Sequence, residues 1–85
     1  MGKIIMGIQV DHRIDTATEV QKLLTEYGCF IKTRLGLHNV SSNNEYCSEK
    51  GLILLEFIME VEKEISKLEE KLTMLDGIVV RKMEF

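Results

Sequence analysis

Apolar positions recur along the chain first at every second residue and then at every third or fourth, and each change of period marks a new element. Residues 3–10 (KIIMGIQV) place Ile4, Met6, Ile8 and Val10 on one face and Lys3, Ile5, Gly7 and Gln9 on the other. That alternation predicts a strand with one apolar and one mixed face, and Gly7 leaves the mixed face open to a second backbone or a ligand. After a charged turn at Asp11-His12-Arg13, Thr16-Ala17-Thr18-Glu19 matches the capping box that opens a helix. Ala17, Val20, Leu23, Leu24 and Tyr27 form its stripe, and Gly28 stands where a left-handed C-terminal cap belongs.

Cys29 to Phe57 reads as a hairpin. Its first strand alternates, with Ile31, Thr33, Leu35 and Leu37 on one face and Lys32, Arg34 and Gly36 on the other. Its second, Leu52-Ile53-Leu54-Leu55, is apolar on both faces, as a central strand covered on both sides would be. The polar stretch 38–50 between them is expected to be a long loop. A second helix is predicted over 59–76, with Val61, Ile65, Leu68, Leu72 and Leu75 at spacings of four, three, four and three. Its outer side pairs Glu64 with Lys67 and Lys67 with Glu70 at i,i+3, and Asp76-Gly77 ends it. IVVRKMEF closes the chain as a last strand.

The resulting order, strand-helix-strand-strand-helix-strand, is that of an α+β, ferredoxin-like βαββαβ sandwich. It predicts one domain over 1–85, with a four-stranded antiparallel sheet and both helices on one face. Right-handed crossovers put the first and third strands in the centre. Helices on one side leave Ile5, and either Leu52 and Leu54 or Ile53 and Leu55, on an uncovered face. Such a patch in a chain of 85 residues, whose own core is modest, predicts a homo-oligomer, dimer or tetramer, built through the sheet.

Composition narrows the setting. A net charge of −3 has no basic excess, so direct nucleic-acid binding is not expected. No stretch reaches the ~20 apolar residues of a membrane span, and the opening MGKIIMGIQV lacks the form of a signal peptide. Two cysteines without an export signal fit free thiols and a cytoplasmic location.

Several stretches carry a family resemblance. They are the first strand into Asp11-His12-Arg13, Thr25-Glu26-Tyr27-Gly28, Ile31 to Leu37 with Arg34-Leu35-Gly36 as an Arg-x-Gly signature, Gly51 to Leu55, and Leu75 to Val80. Together they resemble the ACT-like domains and the ligand-binding half of the nickel-responsive repressor. More narrowly, they are similar to stand-alone domains described as regulators of iron-only hydrogenase systems. Where such domains follow the signature Gly with a short Pro-containing turn, this chain has His38 and a longer polar stretch. The resemblance implies a regulatory or sensing domain without a DNA-binding segment of its own, taking a small-molecule effector at a subunit interface, with a partner protein as the alternative; no cofactor is expected. Carried over residue by residue, the ligand-binding positions are Asp11, His12 and Arg13 in the first turn, with Arg34 and Gly36 of the signature.

Two other chemistries are open. Cys29, His38 and Cys47, spaced nine and nine, bring thiolate and imidazole that suit zinc or nickel, so the 38–50 loop is the alternative site of a metal-sensing module. Against that, Cys29 reads as a small buried hydrophobe at a strand start and His38 as a plain loop residue. Asp11, His12 and Asp15 form an acidic-histidine turn, but no nucleophile or anion-binding glycine loop joins them, so no catalytic residue is expected and the chain reads as a non-enzyme. Lys32 and Arg34, on the outward face of an outer strand, serve edge protection by charge; at a subunit interface Arg34 could instead hold a carboxylate.

Overall fold

Four strands, two helices and a 3-10 turn make up the computed structural model, which describes residues 2–11, 16–40 and 47–85, the strand ends 38–40 and 47–50 as backbone. In chain order they are β1 (Ile4–Asp11), α1 (Ala17–Glu26), the 3-10 turn (Gly28–Phe30), β2 (Ile31–Val40), β3 (Cys47–Phe57), α2 (Glu62–Thr73) and β4 (Ile78–Glu84). The sheet runs β2-β3-β1-β4 with every neighbour antiparallel, so β1 and β3 are central as the crossover rule requires.

The register sorts side chains onto two faces. Met6 lies opposite Leu55 and Ile8 opposite Ile53 and Val80, so the apolar face of β1 meets the inner residues of both neighbours. Onto that face α1 buries Val20 and Leu24, and α2 buries Ile65, Leu68 and Leu72, with Tyr27, Val61 and Phe57 filling the ends. The stripes expected of both helices are therefore the core. Among the described residues no buried side-chain polar atom lacks a hydrogen bond.

Local details differ from the sequence reading. The Thr16 hydroxyl does not cap α1 but donates to the Asp76 carbonyl at 3.0 Å, tying the helix start to the turn before β4. Gly28 does not take the left-handed conformation; it opens the 3-10 turn, closed by Phe30 N–H donating to the Tyr27 carbonyl at 3.0 Å. The left-handed glycine is Gly77, at φ 75°, whose carbonyl accepts from Asp11 N–H at 3.0 Å. α2 starts at Glu62 rather than 59 because Glu60 has a positive φ of 65° and Val61 is the cap residue. The hairpin strands run further than expected, to Val40 and from Cys47, and these two pair with each other. Seven of the thirteen positions read as a 38–50 loop thus lie in the strands, and 41–46 lie outside the described residues.

The largest change is in β2. Ile31 pairs with Phe57 and Thr33 with Glu56, so the ladder has a bulge at Lys32. Ile31 packs against the core, but beyond the bulge Arg34 and Gly36 turn toward the helices, opposite Leu55 and Ile53. Leu35 and Leu37 turn to the uncovered face. Arg34 is therefore on the helix side, not the outward one, and Lys32 reaches Glu56 at 3.8 Å on the open side.

Among the described residues, the ion pairs of α2 join it to its neighbours rather than run along it as Glu64–Lys67–Glu70 would. Lys82 of β4 meets Glu69 at 2.8 Å, and Lys71 meets Glu26 of α1 at 3.3 Å. Lys71 Nζ also sits 5.1 Å from the centre of the Tyr27 ring. The hydrogen bond with Tyr27 and the carboxylate of Glu26 raise the Lys71 pKa above its usual 10.5. A raised ammonium pKa contributes stability that is complete below the unfolded value and disappears as pH climbs through the folded one. Melting temperature followed at pH values above about 10 should accordingly fall less steeply in Lys71→Met than in the wild type. Leu55, wholly buried at the middle of β3, gives the packing test: Leu55→Ala should lower urea-unfolding stability by about 2–5 kcal/mol.

Candidate functional site

β2 presents two different surfaces because its side chains alternate across an edge of the sheet. On the open face Leu35 lies opposite Leu54 and Leu37 opposite Leu52, next to Ile5 and Gly7 of β1 and Val79 and Met83 of β4. The space expected at Gly7 is flanked from within the chain: a Cβ there would meet Leu54 Cδ2 at 3.7 Å and Leu52 Cδ1 at 3.8 Å, ordinary contact distances. Leu35 is 50%, Leu37 44%, Leu52 37%, Val79 41% and Met83 55% exposed. At one end the patch is rimmed by Glu56, held between Lys3 at 3.6 Å and Lys32 at 3.8 Å. The sequence left open which pair of β3 residues faces outward, and it is Leu52 and Leu54.

On the helix side the Arg34 guanidinium donates to Oε1 of Gln21 on α1. Beside this contact a groove of about 310 Å³ runs between α1 and the hairpin, lined by Val10, Gln21, Gly36, Gly51 and Ile53 and bordered by Leu37 and Leu52. A Cβ on Gly36 would meet nothing within 4 Å, so the groove floor is bare there. The structure thus places Gly36 in the groove and Arg34 beside it, on the lining side chain of Gln21. It adds Gln21 and Gly51, which the sequence reading missed; the one signal for Gln21 was its place on the polar side of the α1 stripe.

The other candidates separate. Asp11 ends β1, half-buried, while His12, Arg13 and Asp15 lie outside the described residues. Cys29 is exposed in the 3-10 turn, not buried at a strand start. It lies at the opposite end of β2 from His38, which pairs with Gly51, on the order of 20 Å away at ~3.3 Å per strand residue. Within one chain Cys29 therefore does not join a ligand set with His38 and Cys47, whose side chains lie outside the described residues. Among the described residues no three of His, Cys, Asp and Glu cluster to hold a metal, and no helix is long and apolar enough to cross a membrane.

No protein-family profile matches the chain, and no curated protein matches it. Solved structures do. The uncharacterized protein TM1266 from Thermotoga maritima superposes with a TM-score of 0.78, at 21% identity over 99% of this chain and 96% of that one. A formyltetrahydrofolate deformylase from Pseudomonas putida matches with a TM-score of 0.57 at 14% identity, over 98% of this chain and 29% of the deformylase. CPII from Thiomonas intermedia, solved with ADP, AMP and acetate, matches with a TM-score of 0.53 at 14% identity, over 98% of this chain and 87% of that one. The fold is that of a ferredoxin-like, ACT-like α+β domain.

The position of Cys29 has a direct chemical readout. In reduced native protein Cys29 should react with a thiol reagent without denaturation, located by peptide mapping, and Cys29→Ser should change stability by no more than about 0.5 kcal/mol. Protection of Cys29 until the chain is denatured would contradict its exposure.

Proposed function

We propose that this chain is a non-enzymatic regulatory domain. It pairs with copies of itself through the open sheet face and passes on the binding of a small ligand or partner protein through that assembly. The observation that carries the proposal is the apolar face of Leu35, Leu37, Leu52, Val79 and Met83 with its Lys3–Glu56–Lys32 rim. By register Gln9 and Arg81 share this face, and an apolar patch with charged groups at its end and edge has the anatomy of a protein interface. Covering five such half-exposed side chains is worth on the order of 3–7 kcal/mol per subunit. Two subunits together then supply about 6–14 kcal/mol against an association cost of ~4–15, so pairing is expected to depend on concentration.

The fold likeness to ACT-like domains supports a sensing role. The Arg34-Leu35-Gly36 signature and the stretches around it support the narrower setting, regulation of an iron-only hydrogenase system in the cytoplasm. Metal sensing through the hairpin is not carried forward as a second reading, since Cys29 stands away from the other two positions.

Light scattering on a sizing column should show a dimer or tetramer at about 100 µM, and Leu35→Glu with Leu52→Lys should convert it to a folded monomer. A wild-type monomer at that concentration removes the interface. In a thermal-shift screen of amino acids, nucleotides, short carboxylates and divalent metals, a specific ligand at a hundred times its Kd adds about 2.7 kcal/mol. A screen without any shift favours a protein–protein adaptor.

A further inference from the structure

We infer that two copies of this chain stack open face on open face about a two-fold axis crossing the strands at the level of Ile8, with Gln9 of each copy seated at Gly7 of the other. This deepens the self-pairing proposed above and rests on it. A glycine inside a strand is less stable than an alanine, and nothing at Gly7 demands one. Its φ is not positive, and a Cβ would meet Leu54, Leu52 and the Arg81 carbonyl only at ordinary distances of 3.7, 3.8 and 3.9 Å. A bare position in mid-strand, half-buried on the open face, marks a place where another molecule approaches closely. Gln9, exposed two residues further along the same face, is the opposite case. It is a long polar side chain level with Leu52 and Val79.

Register decides how such a face meets its own copy. In a two-fold contact residue i touches j and j touches i, and for aligned stacked sheets the axis runs between them, across the strands or along them. Val80, Ile8, Ile53 and Gly36 form one row across the sheet, on its helix side. An axis crossing the strands over that row exchanges the two rows beside it. Arg81, Gly7, Leu54 and Leu35 then lie over Val79, Gln9, Leu52 and Leu37 of the second copy. Leucine packs on leucine, the Arg81 stem lies on Val79 at the margin with its head in water, and the Gln9 amide enters the gap at Gly7. The other axes do worse. Crossing at Gly7 stacks Arg81 on Arg81. Crossing at Gln9 carries Leu35 and Leu54 over positions 39 and 50, Asn and Lys in the sequence. An axis along the strands at the sheet centre sets Leu35 on Arg81 and Leu52 on Gln9, burying polar groups against leucine. Shifted between β2 and β3 it pairs the leucines but leaves Val79 and Met83 of β4 uncovered.

The test is light scattering on the full chain over a concentration series reaching about 100 µM, with melting curves to show that each variant is folded. Gly7→Leu fills the seat of Gln9 and should weaken self-association about tenfold or more. Adding Gln9→Ala to it should restore pairing, because position 9 of one copy faces position 7 of the other. A charge pair on the edge strand reads the same register independently. Leu35→Glu and Leu37→Lys should each be monomeric alone and pair when mixed, whereas Leu35→Glu mixed with Leu52→Lys should stay monomeric. A wild-type monomer removes the self-pairing reading and this register with it. A wild-type assembly that Gly7→Leu leaves untouched, or that Gln9→Ala fails to restore, keeps that reading and overturns the register. So does a mixture of Leu35→Glu and Leu37→Lys that stays monomeric, or pairing of Leu35→Glu with Leu52→Lys.

Discussion

Two helices cannot cover both faces of a four-stranded sheet, and that shortage of cover governs the rest of the molecule. The inner face receives everything α1 and α2 can bury: Met6, Ile8 and Leu55 from the central strands, Val20 and Leu24 from one helix, Leu68 and Leu72 from the other. These side chains leave the outer face with Leu35, Leu37, Leu52 and Val79 partly in water. Among the described residues both helices lie on the other face, where their apolar stripes are already buried. The core and the proposed interface are two consequences of one register, since each strand sends alternate residues to each side.

That register depends on a single extra residue. Without a bulge at Lys32, the alternation of 31–37 would carry Ile31, Thr33, Leu35 and Leu37 to the same face. With it, Ile31 stays in the core while the three residues beyond it cross to the open side. A one-residue slip moves a whole side-chain set from one face to the other. The bulge also sends Arg34 toward α1 and leaves Lys32 free to reach Glu56. One backbone irregularity therefore sets Arg34 against Gln21 on the helix side and Lys32 in the charged rim of the open face.

Because β2 forms part of both surfaces, groove and open face share one stretch of backbone. Arg34 and Gly36 alternate with Leu35 and Leu37 at neighbouring positions. β2 is an edge strand with a single hydrogen-bonded neighbour, so it is the strand whose position costs least to adjust.

The sequence by itself determined the elements, their order and the buried sides of β1, α1 and α2, because long periodic apolar stripes can be satisfied in only one way. Val20, Leu24, Ile65, Leu68 and Leu72 sit where their spacing put them. The central positions of β1 and β3 followed from crossover handedness, a rule that does not depend on particular side chains. The bulge was not legible, since nothing in Ile-Lys-Thr-Arg says which residue will be skipped by the partner strand. The capping hydroxyl of Thr16 was misplaced for a related reason: its real partner, the Asp76 carbonyl, is 60 residues away in sequence. Arg34 and Gly36 were legible as residues of interest but not as neighbours of Gln21, and Cys29 looked like a strand residue until the 3-10 turn exposed it. Periodicity reports what a segment must bury. Only the packed sheet decides which face each edge residue meets, because that is fixed by pairing between segments distant along the chain.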